Sequence, residues 1–342
     1  MPNAIVVHRR QWWRPSTARP ARQAIGAAVQ SLCLELASKW GWMRPLMPLA
    51  RLYLYMRGHL LFACYYRMLL LTKAGHLAVW NGQRYRQQLA VAAAQAQGLP
   101  CLFFENGLLP DHTTLDAQGV NYLNSMPRQA AAYLAKPALQ ISPVLCGSSG
   151  KFILVPFQVE TDSQMLRFSP WIHTMRALVE NLLTASSYLP PGWRFICKTH
   201  PAEPKRHRWL KALIDRHACL ELAEPKATIQ GLIYNAGAVI TINSTVGIEA
   251  LLAGKRVIVL GQAFYAIESM VLKARNATQL KQAIAHLPDW KPDSALVAAF
   301  LQHLSAYQVP GDWRRDSQTH YQAMRERIYQ LMALRHAVET SG

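Results

Sequence analysis

Two acidic side chains in the first half of the chain have surroundings typical of catalytic carboxylates. Glu105 ends an apolar stretch and precedes Asn106–Gly107, and Asp116 lies further along the same polar segment. Because active-site groups collect at the carboxyl ends of parallel strands, the two carboxylates could divide a nucleophilic and an acid–base role between them. The structural alternative is that Asp116 caps a turn through neighbouring amides and Glu105 pairs with Arg128.

Two later segments contain residue types that bind anions. Lys198 and His200 follow a predicted strand, and an ammonium beside an imidazole suits a phosphate or a carboxylate. The segment Asn243–Thr245 lies between a predicted strand and a predicted helix, where unpaired amides and hydroxyls converge. Glu249 in that helix could accept hydrogen bonds from a ribose. The alternatives are a solvated Lys198, a hydrogen-bonded His200 and a simple helix cap at Asn243 or Ser244.

These residues need a scaffold that brings strand ends together, and the pattern along the chain predicts one. A strand at 76–80, a helix at 83–97 and a strand at 102–104 form a βαβ unit, which indicates a parallel sheet. The second half repeats this alternation. We predict strands at 152–156, 194–198, 238–242 and 256–260, and helices at 170–185, 209–217, 229–235 and 245–253.

A Gly/Ser-rich stretch divides the two halves. Residues 142–150 contain one Pro, two Gly and several Ser, which is typical of a linker. We therefore predict an N-terminal lobe over 1–145, a second lobe over 146–300 and C-terminal helices over 301–342. A ligand would bind in a cleft at the carboxyl ends of both sheets.

Composition narrows the class of protein. The 342 residues are 51% hydrophobic and carry a formal charge of +18, which indicates a packed globular protein with an acidic partner. A nucleic-acid partner is not expected, because no helix-turn-helix, RNA-recognition or finger signature occurs. The six cysteines lack CxxC spacing, which predicts reduced thiols in the cytoplasm and no zinc. No secretory signal or transmembrane run is present, and no P-loop, GxGxxG or GxSxG motif occurs.

The segment 1–60 is the most basic part of the chain. Its first 57 residues hold eight Arg and one Lys against the single acid Glu35, together with four Trp. Basic residues mixed with Trp are typical of a segment that lies on a membrane surface. The alternative is an irregular arm that packs on the domain. We expect an anionic membrane surface as a partner and a peripheral position on the inner membrane.

Taken in order, these segments resemble the bacterial capsule-polysaccharide synthesis family, whose characterised members are retaining β-Kdo glycosyltransferases (Kdo is an acidic eight-carbon sugar). The resemblance covers roughly residues 76–270. It implies an α/β, GT-B-like fold of two Rossmann-type lobes with parallel sheets facing a central cleft and C-terminal helices packing back. It rests on Glu105–Gly107, Thr114–Asp116, Gly119–Asn121, Ser125–Arg128, Pro156–Gln158, Asp162–Ser163, Lys198–Pro201, Asn243–Thr245, Glu249, Gly254 and Gly261.

The resemblance also implies roles for the candidate residues. Asp116 would be the nucleophile that forms a sugar–enzyme intermediate, with retention of configuration, and Glu105 would be the general base for the acceptor hydroxyl. CMP-Kdo would be the donor, the lobe over 146–300 would be the nucleotide-sugar-binding lobe, and no metal or other cofactor is implied. The donor-binding residues would be Lys198, His200, Arg128 and Gln158 for the phosphate or sugar carboxylate, and Asn243, Ser244, Thr245 and Glu249 for the nucleotide.

The expected function is transfer of Kdo, or a similar acidic ulosonic sugar, from a CMP-sugar to a glycan or glycolipid acceptor in capsule or lipopolysaccharide synthesis. Two alternatives stay open. One is a transferase or epimerase that uses a UDP- or ADP-sugar, and the other is a non-catalytic scaffold of a polysaccharide-assembly complex. The roles of Glu105 and Asp116 could also be exchanged.

Overall fold

The chain folds as two compact units. A computed structural model describes residues 21–135, 150–203 and 208–340. The first unit combines the chain up to Ser125 with the chain from Gln308, and the second is Met126–Tyr307. The predicted linker at 142–150, apart from its last residue, and the predicted boundary after residue 145 lie outside the described residues.

Helices and strands alternate through most of the described chain, as the sequence predicts. The helices are α1 (Ala21–Lys39), α2 (Met47–Leu71), α3 (Tyr85–Gln95), α4 (Ala130–Leu134), α5 (Ser163–Phe168), α6 (Met175–Thr184), α7 (Trp209–Ile214), α8 (Ile229–Asn235), α9 (Val246–Leu252), α10 (Ala277–His286), α11 (Ser294–Tyr307) and α12 (Gln318–Thr340). The strands are β1 (Leu77–Trp80), β2 (Cys101–Asn106), β3 (His112–Asp116), β4 (Phe152–Pro156), β5 (Arg194–Lys198), β6 (Leu220–Leu222), β7 (Ala238–Thr241), β8 (Arg256–Val259), β9 (Leu272–Lys273) and β10 (Val309–Pro310).

The first unit is a four-stranded sheet with helices on both faces. Its strand order is β1-β2-β3-β10. Alternation along β2 decides which side chain faces which helix, because successive residues of a strand point to opposite faces. Cys101 and Phe103 pack among the residues of α1, α2 and α3, whereas Leu102 packs with Leu115 and Leu331 against α12. The last helix, α12, therefore covers one face of this sheet, and α1, α2 and α3 cover the other.

The second unit is a six-stranded parallel sheet between helices. Its order is β6-β5-β4-β7-β8-β9, and each neighbouring pair is parallel. Every residue of β4 and β7 is buried, as expected of strands covered by helices on both faces. This is the strand order of a Rossmann-type nucleotide-binding fold, with the direction of winding reversing between β4 and β7.

The α/β class is confirmed, and the second unit has the predicted parallel sheet. The first unit differs, because only β1 and β2 are parallel and β3 returns antiparallel to β2. The reason is a tight connection at Gly107, where an added Cβ would lie 2.1 Å from the carbonyl oxygen of His112. A five-residue connection can join antiparallel strands, whereas a parallel pair needs a crossover of a dozen or more residues.

The division of the chain also differs from the predicted one. Residues 126–135 belong to the second unit, because Tyr133 packs edge-on against Phe300 and His303 of α11. The chain from Gln308 belongs to the first unit, because β10 pairs with β3 and α12 packs against the same sheet. The helices predicted over 301–342 are therefore divided between the two units, with α11 in the second and α12 in the first.

The basic N-terminal segment contributes to the core of the first unit. From residue 21 it forms α1, a short 3-10 helix at Gly41–Leu46 and α2. Ile25, Ala28 and Val29 of α1 are buried together with Leu54 and Phe62 of α2. This part of the segment is therefore not the irregular arm that the sequence left open. Within the described ranges, no helix has the length and hydropathy needed to cross a membrane.

Candidate functional site

The strongest candidate site of the second unit lies at the edge of its sheet where the direction of winding reverses, between β4 and β7. Since β5, β4 and β7 are neighbours and parallel, their carboxyl ends meet at one edge. Lys198, Gln158 and Asn243 come at or just after these three ends. In open α/β sheets, ligands bind in the crevice outside the carboxyl ends at such a reversal. Three of the residues that the sequence predicted to bind a donor therefore come at or just after strand ends at one edge of this sheet.

Gln158 and Asn243 are joined directly by their side chains. Gln158 Nε2 donates to Asn243 Oδ1 at 2.8 Å, and Gln158 Oε1 accepts from the backbone N–H of Asn243 at 3.1 Å. Asn243 Nδ2 donates to the carbonyls of Gln164 and Phe168. These bonds engage both the carbonyl oxygen and the NH₂ group of the Asn243 side chain and hold the turn after β7 in place, while its predicted contact with a nucleotide stays a prediction. Gln158 Oε1 also accepts from the Thr241 hydroxyl at 3.4 Å, and the predicted donor contact of Gln158 likewise stays a prediction.

Lys198 and His200 have defined hydrogen bonds at the end of β5. Lys198 Nζ donates to the carbonyls of Glu224 and Pro225 at 3.2 and 3.1 Å, which fixes the ammonium beside the segment that follows β6. The backbone N–H of Ala202 donates to His200 Nδ1 at 3.1 Å. Because Nδ1 is the acceptor, Nε2 carries the proton of the neutral ring and is the donor that the imidazole offers to a ligand.

A buried tyrosine holds the turn from β7 into α9 by a hydrogen bond to its backbone. Tyr265 donates through its hydroxyl to the carbonyl of Ser244, and burial raises the pKa of that hydroxyl, so it stays protonated. Gly247 lets the ring approach, since a Cβ there would lie 2.4 Å from the Tyr265 hydroxyl oxygen. Thr245 is exposed at the start of the helix. The side chain of Thr245 is therefore exposed on a turn whose backbone is held in place.

Glu249 lies in the first turn of α9. Its carboxylate is partly buried, and burial raises the pKa of the carboxyl group above its ordinary value. Gln230 Nε2 lies 3.5 Å from Glu249 Oε2, a weak contact that hydroxyl donors of a ligand can replace. This environment agrees with the predicted ribose contact, which stays a prediction.

Arg128 also belongs to the second unit. Its guanidinium donates to the carbonyl of Met126 and lies 5.7 Å above the ring of Phe264. Phe264 packs edge-on against Tyr265, whose hydroxyl reaches Ser244. Arg128 is thus connected through two aromatic rings to the turn that precedes α9, on the side of the site away from Lys198 in the strand order.

Glu105 is the penultimate residue of β2 in the first unit, and two asparagines orient its carboxylate. Asn81 Nδ2 donates to Glu105 Oε2 at 2.5 Å, and Asn106 donates to Oε1 through its backbone N–H at 2.9 Å and its side chain at 3.1 Å. Asn81 has a φ of 61°, a left-handed conformation that Asn adopts more readily than most residues. The turn after β1 therefore places the side-chain amide of Asn81 against Glu105, near the end of β2.

Two tryptophans lie beside this carboxylate. Trp313 Nε1 donates to Asn106 Oδ1 at 3.0 Å, and the Trp313 ring packs edge-on against Trp80 with centroids 4.6 Å apart. Both rings remain partly exposed, Trp313 by 48% and Trp80 by 37%. A partly exposed aromatic pair next to an oriented carboxylate is a surface on which an apolar sugar face can pack.

Asp116 is a diagonal cross-strand neighbour of Glu105 on the same face of the β2–β3 hairpin. Glu105 pairs with Thr114 and Phe103 pairs with Asp116, so the Cα atoms of the two acids are about 7–8 Å apart. Asp116 is fully buried. Its Oδ1 accepts from the N–H groups of Gln118 and Gly119, and its Oδ2 accepts from the N–H and hydroxyl of Ser125. This is the turn-capping arrangement that the sequence left open as the alternative to a nucleophile.

The functional surroundings of Glu105 were only partly visible in the sequence. The Asn81–Gly82 pair is a turn signal in the sequence, but nothing local links Asn81 to Glu105. Trp313 comes from the far end of the chain and reaches Asn106 only because β10 pairs with β3. Neither Asn81 nor Trp313 was therefore among the functional residues predicted from the sequence.

Comparison with known proteins agrees with this arrangement of segments. A family model described as "Capsule polysaccharide biosynthesis protein" matches residues 76–143 and 135–313. Protein FixF of Sinorhizobium fredii is 34% identical over 68% of this chain and 60% of its own length. The capsule polysaccharide export protein KpsS of Escherichia coli is 29% identical over 45% of this chain and 39% of its own length. The chain thus spans about 40–60% of these relatives.

Among solved structures, the β-Kdo 2,7 transferase KpsC of Thermosulfurimonas dismutans matches with 20% identity and a TM-score of 0.44. That match covers 69% of this chain and 79% of the other. The family model covers the residues that carry both candidate sites, from β1 through α11 and β10. On that match, the chain belongs to the capsule polysaccharide biosynthesis protein family.

Proposed function

We propose that this protein is a glycosyltransferase that moves Kdo, or a similar acidic ulosonic sugar, from a CMP-sugar donor to a glycan or glycolipid acceptor. The observation that carries the proposal is that Lys198, His200 and the Ser244–Thr245 turn all come at or after the carboxyl ends of parallel strands, at one edge of the second unit's sheet. Membership of a capsule polysaccharide family supports a carbohydrate substrate. The second unit would bind the donor, and the first unit would act on the acceptor.

The donor groups match the charge of a nucleoside monophosphate sugar. A CMP-sugar carries a single phosphodiester, and an ulosonic sugar adds one carboxylate. The ammonium of Lys198 and the Nε2–H of His200 are donors suited to such oxygens, and they would stabilise the negative charge that develops on the departing phosphate. The exposed Thr245 hydroxyl and the Glu249 carboxylate offer contacts for the nucleoside.

The acceptor side depends on Glu105. Three N–H donors hold its carboxylate at the end of β2, where it is partly exposed. In this position it would take the proton from the attacking acceptor hydroxyl, as a general base does. Trp80 and Trp313 would hold the sugar ring of the acceptor beside it.

Retention through an Asp116-linked intermediate stays a prediction, and the geometry weighs against it. Each carboxylate oxygen of Asp116 already accepts two hydrogen bonds, and those on the attacking oxygen would have to rearrange before it could reach a sugar carbon. Glu105 is the carboxylate that a substrate can reach without such a change. If transfer proceeds through a covalent intermediate, we therefore expect the roles to be exchanged, with Glu105 as the residue that carries the sugar.

Mass spectrometry of the intact protein tests the covalent step. The protein is incubated with enzymatically generated CMP-Kdo without acceptor, and the mass is compared with that of the Glu105→Gln and Asp116→Asn variants. We expect any increment of one sugar residue to disappear in Glu105→Gln, and peptide mapping to place it on the β2 segment. An increment mapped to Asp116 would restore the nucleophile role that the resemblance implies.

Binding of the nucleotide tests the donor class independently of turnover. We expect isothermal titration to show tighter binding of CMP than of UDP, and His200→Ala to weaken CMP binding by about 10- to 100-fold, since a hydrogen bond to a charged group contributes about 1.5–3 kcal/mol. His286→Ala, an exposed histidine in α10, is the matched control and should bind normally. Tighter binding of UDP would favour the UDP-sugar alternative instead.

A further inference from the structure

Helix α2 has an apolar surface on the face that does not pack in the core. Leu54, Gly58, Phe62 and Leu69 are buried on one side of the helix. On the other side, exposed side chains at spacings of three and four residues run from Leu49 to Leu60, and Leu70 and Leu71 lie on the same side at the end of the helix. Together these side chains form a stripe and are 53–70% exposed. The members of this stripe are Leu49, Leu52, Tyr53, Met56, Leu60, Leu70 and Leu71.

An exposed stripe of this length is unusual for a soluble surface. Apolar residues scattered singly on a surface need no explanation, whereas a contiguous patch indicates an interaction site. The stripe runs along a helix of 25 residues. The 3-10 helix before α2 and its N-cap add Trp42, 71% exposed, and Trp40, 48% exposed. Tryptophan is the side chain most typical of the boundary between lipid and water.

The charges around the stripe are almost entirely positive. From residue 21 to the end of α2 the chain has one acid, Glu35, which lies 3.7 Å from Lys39. Arg67 lies within the stripe, and Arg57 lies at its edge. The basic residues of this region are Arg22, Lys39, Arg44, Arg51, Arg57 and Arg67. A partner that covers the stripe must therefore combine an apolar interior with an anionic surface.

A cavity opens next to the stripe between α1 and α2. Its volume is about 350 Å³, and it is lined by Gly26, Val29, Pro48, Arg51, Leu52 and Tyr55. Its walls are mainly apolar, and Arg51 is the charged group among them. This combination suits an acyl chain inside the cavity and a phosphate at its entrance.

We propose that the exposed stripe of α2 is the surface by which this protein docks on an anionic phospholipid bilayer. The helix would lie along the membrane, with the stripe among the acyl chains and Arg57 and Arg67 extended toward lipid phosphates. The buried side of α2 stays in the protein core, so docking needs no refolding. This surface is independent of the sugar-transfer chemistry proposed above, and lipid binding can be measured without turnover.

A second copy of the chain fits the stripe less well. In a symmetric dimer the same patch faces itself, which would bring the arginines of two α2 helices together with no acid on either helix. Like charges placed opposite each other in an interface cost free energy. Lipid phosphates supply the missing negative charge.

Co-sedimentation of the full chain with vesicles tests the proposal. We expect binding to vesicles that contain phosphatidylglycerol, weak binding to pure phosphatidylcholine, and a decrease in binding as salt screens the charges. Replacing four stripe residues by Gln should lower binding at least tenfold, with an unchanged melting temperature because these side chains are exposed. The four substitutions are Leu49→Gln, Leu52→Gln, Met56→Gln and Leu60→Gln.

In a matched control, Gln replaces four exposed apolar or aromatic side chains of the second unit. This control should bind vesicles like the natural protein. Equal binding by the stripe variant would overturn the proposal. A dimer in solution that the stripe variant converts to a monomer, with vesicle binding unchanged, would assign the stripe to a second copy instead. The control substitutions are Leu134→Gln, Tyr188→Gln, Leu222→Gln and Tyr234→Gln, all at exposed positions.

Discussion

Glu105→Gln is expected to lower the rate of sugar transfer by about 10²- to 10⁴-fold, the range that a general base usually contributes. The amide keeps the size of the side chain and one acceptor oxygen for Asn81 and Asn106, but it cannot take the proton of the acceptor hydroxyl. Since the group is only partly buried at the end of β2, the fold should survive. Transfer is measured with a CMP-sugar and a soluble acceptor, and folding by thermal melting.

Glu326→Gln is the matched control for this variant. Glu326 lies on α12 of the same unit and accepts a hydrogen bond from the Gln322 amide at 3.1 Å, at an exposed position. The control should transfer sugar at the normal rate. CMP binding should be normal in both variants, because the donor groups belong to the second unit. Normal turnover by Glu105→Gln would remove Glu105 from the reaction and with it the acceptor half of the proposed function.

Asp116→Asn is expected to destabilise the first unit by about 3 kcal/mol, the scale of losing hydrogen bonds to a buried charged group. The Asp116 carboxylate accepts four hydrogen bonds, three of them from backbone N–H groups. An asparagine turns an NH₂ group toward one pair of these donors. For a unit of this size the melting temperature should fall by roughly 6–12 °C, and transfer should fall with it because the segment 117–125 loses its anchor.

The matched control is Asp111→Asn at the other end of β3. Asp111 is exposed and pairs with Arg315 at 3.1 Å, an ion pair of a kind that contributes little. Its φ of 53° suits Asn as well as Asp. The melting temperature of this control should change by no more than about 1–2 °C. If Asp116→Asn instead melts like the natural protein and only loses transfer, Asp116 acts on the sugar and its buried hydrogen bonds do not explain its role.

The elements of the second unit follow closely from local sequence. Strands β4 and β5 have the predicted bounds, and β7 and β8 end within a residue of them, because short apolar runs between Gly, Pro and polar residues identify buried strands. The predicted helix at 170–185 proves shorter, as α6 begins only at Met175, where Thr174 caps it through its side chain. Caps of this kind depend on side-chain geometry more than on hydropathy.

The candidate site was predicted as a set of strand-end residues, and the structure shows which of them already have hydrogen-bond partners within the protein. Gln158 and Asn243 were expected to touch the donor, yet their amides bind each other and neighbouring carbonyls. Asp116 was expected in the polar segment that follows a strand, yet it is itself the last residue of a strand and is buried. Sequence shows which residue types are present, but the number of hydrogen bonds already made by a polar group depends on what folds around it.

The order of segments along this chain was enough to indicate the α/β class, the capsule polysaccharide family and the strand ends that carry Lys198, His200 and Glu105, because hydrophobic period and turn residues are local properties. The return of β10 and α12 to the first unit, the placement of Trp313 beside Asn106 and the burial of Asp116 depend on contacts between residues far apart in sequence. So does the exposure of the α2 stripe. A helix that is apolar on every side has no preferred face until its neighbours cover one of them, and α1 and α3 determine which face remains exposed.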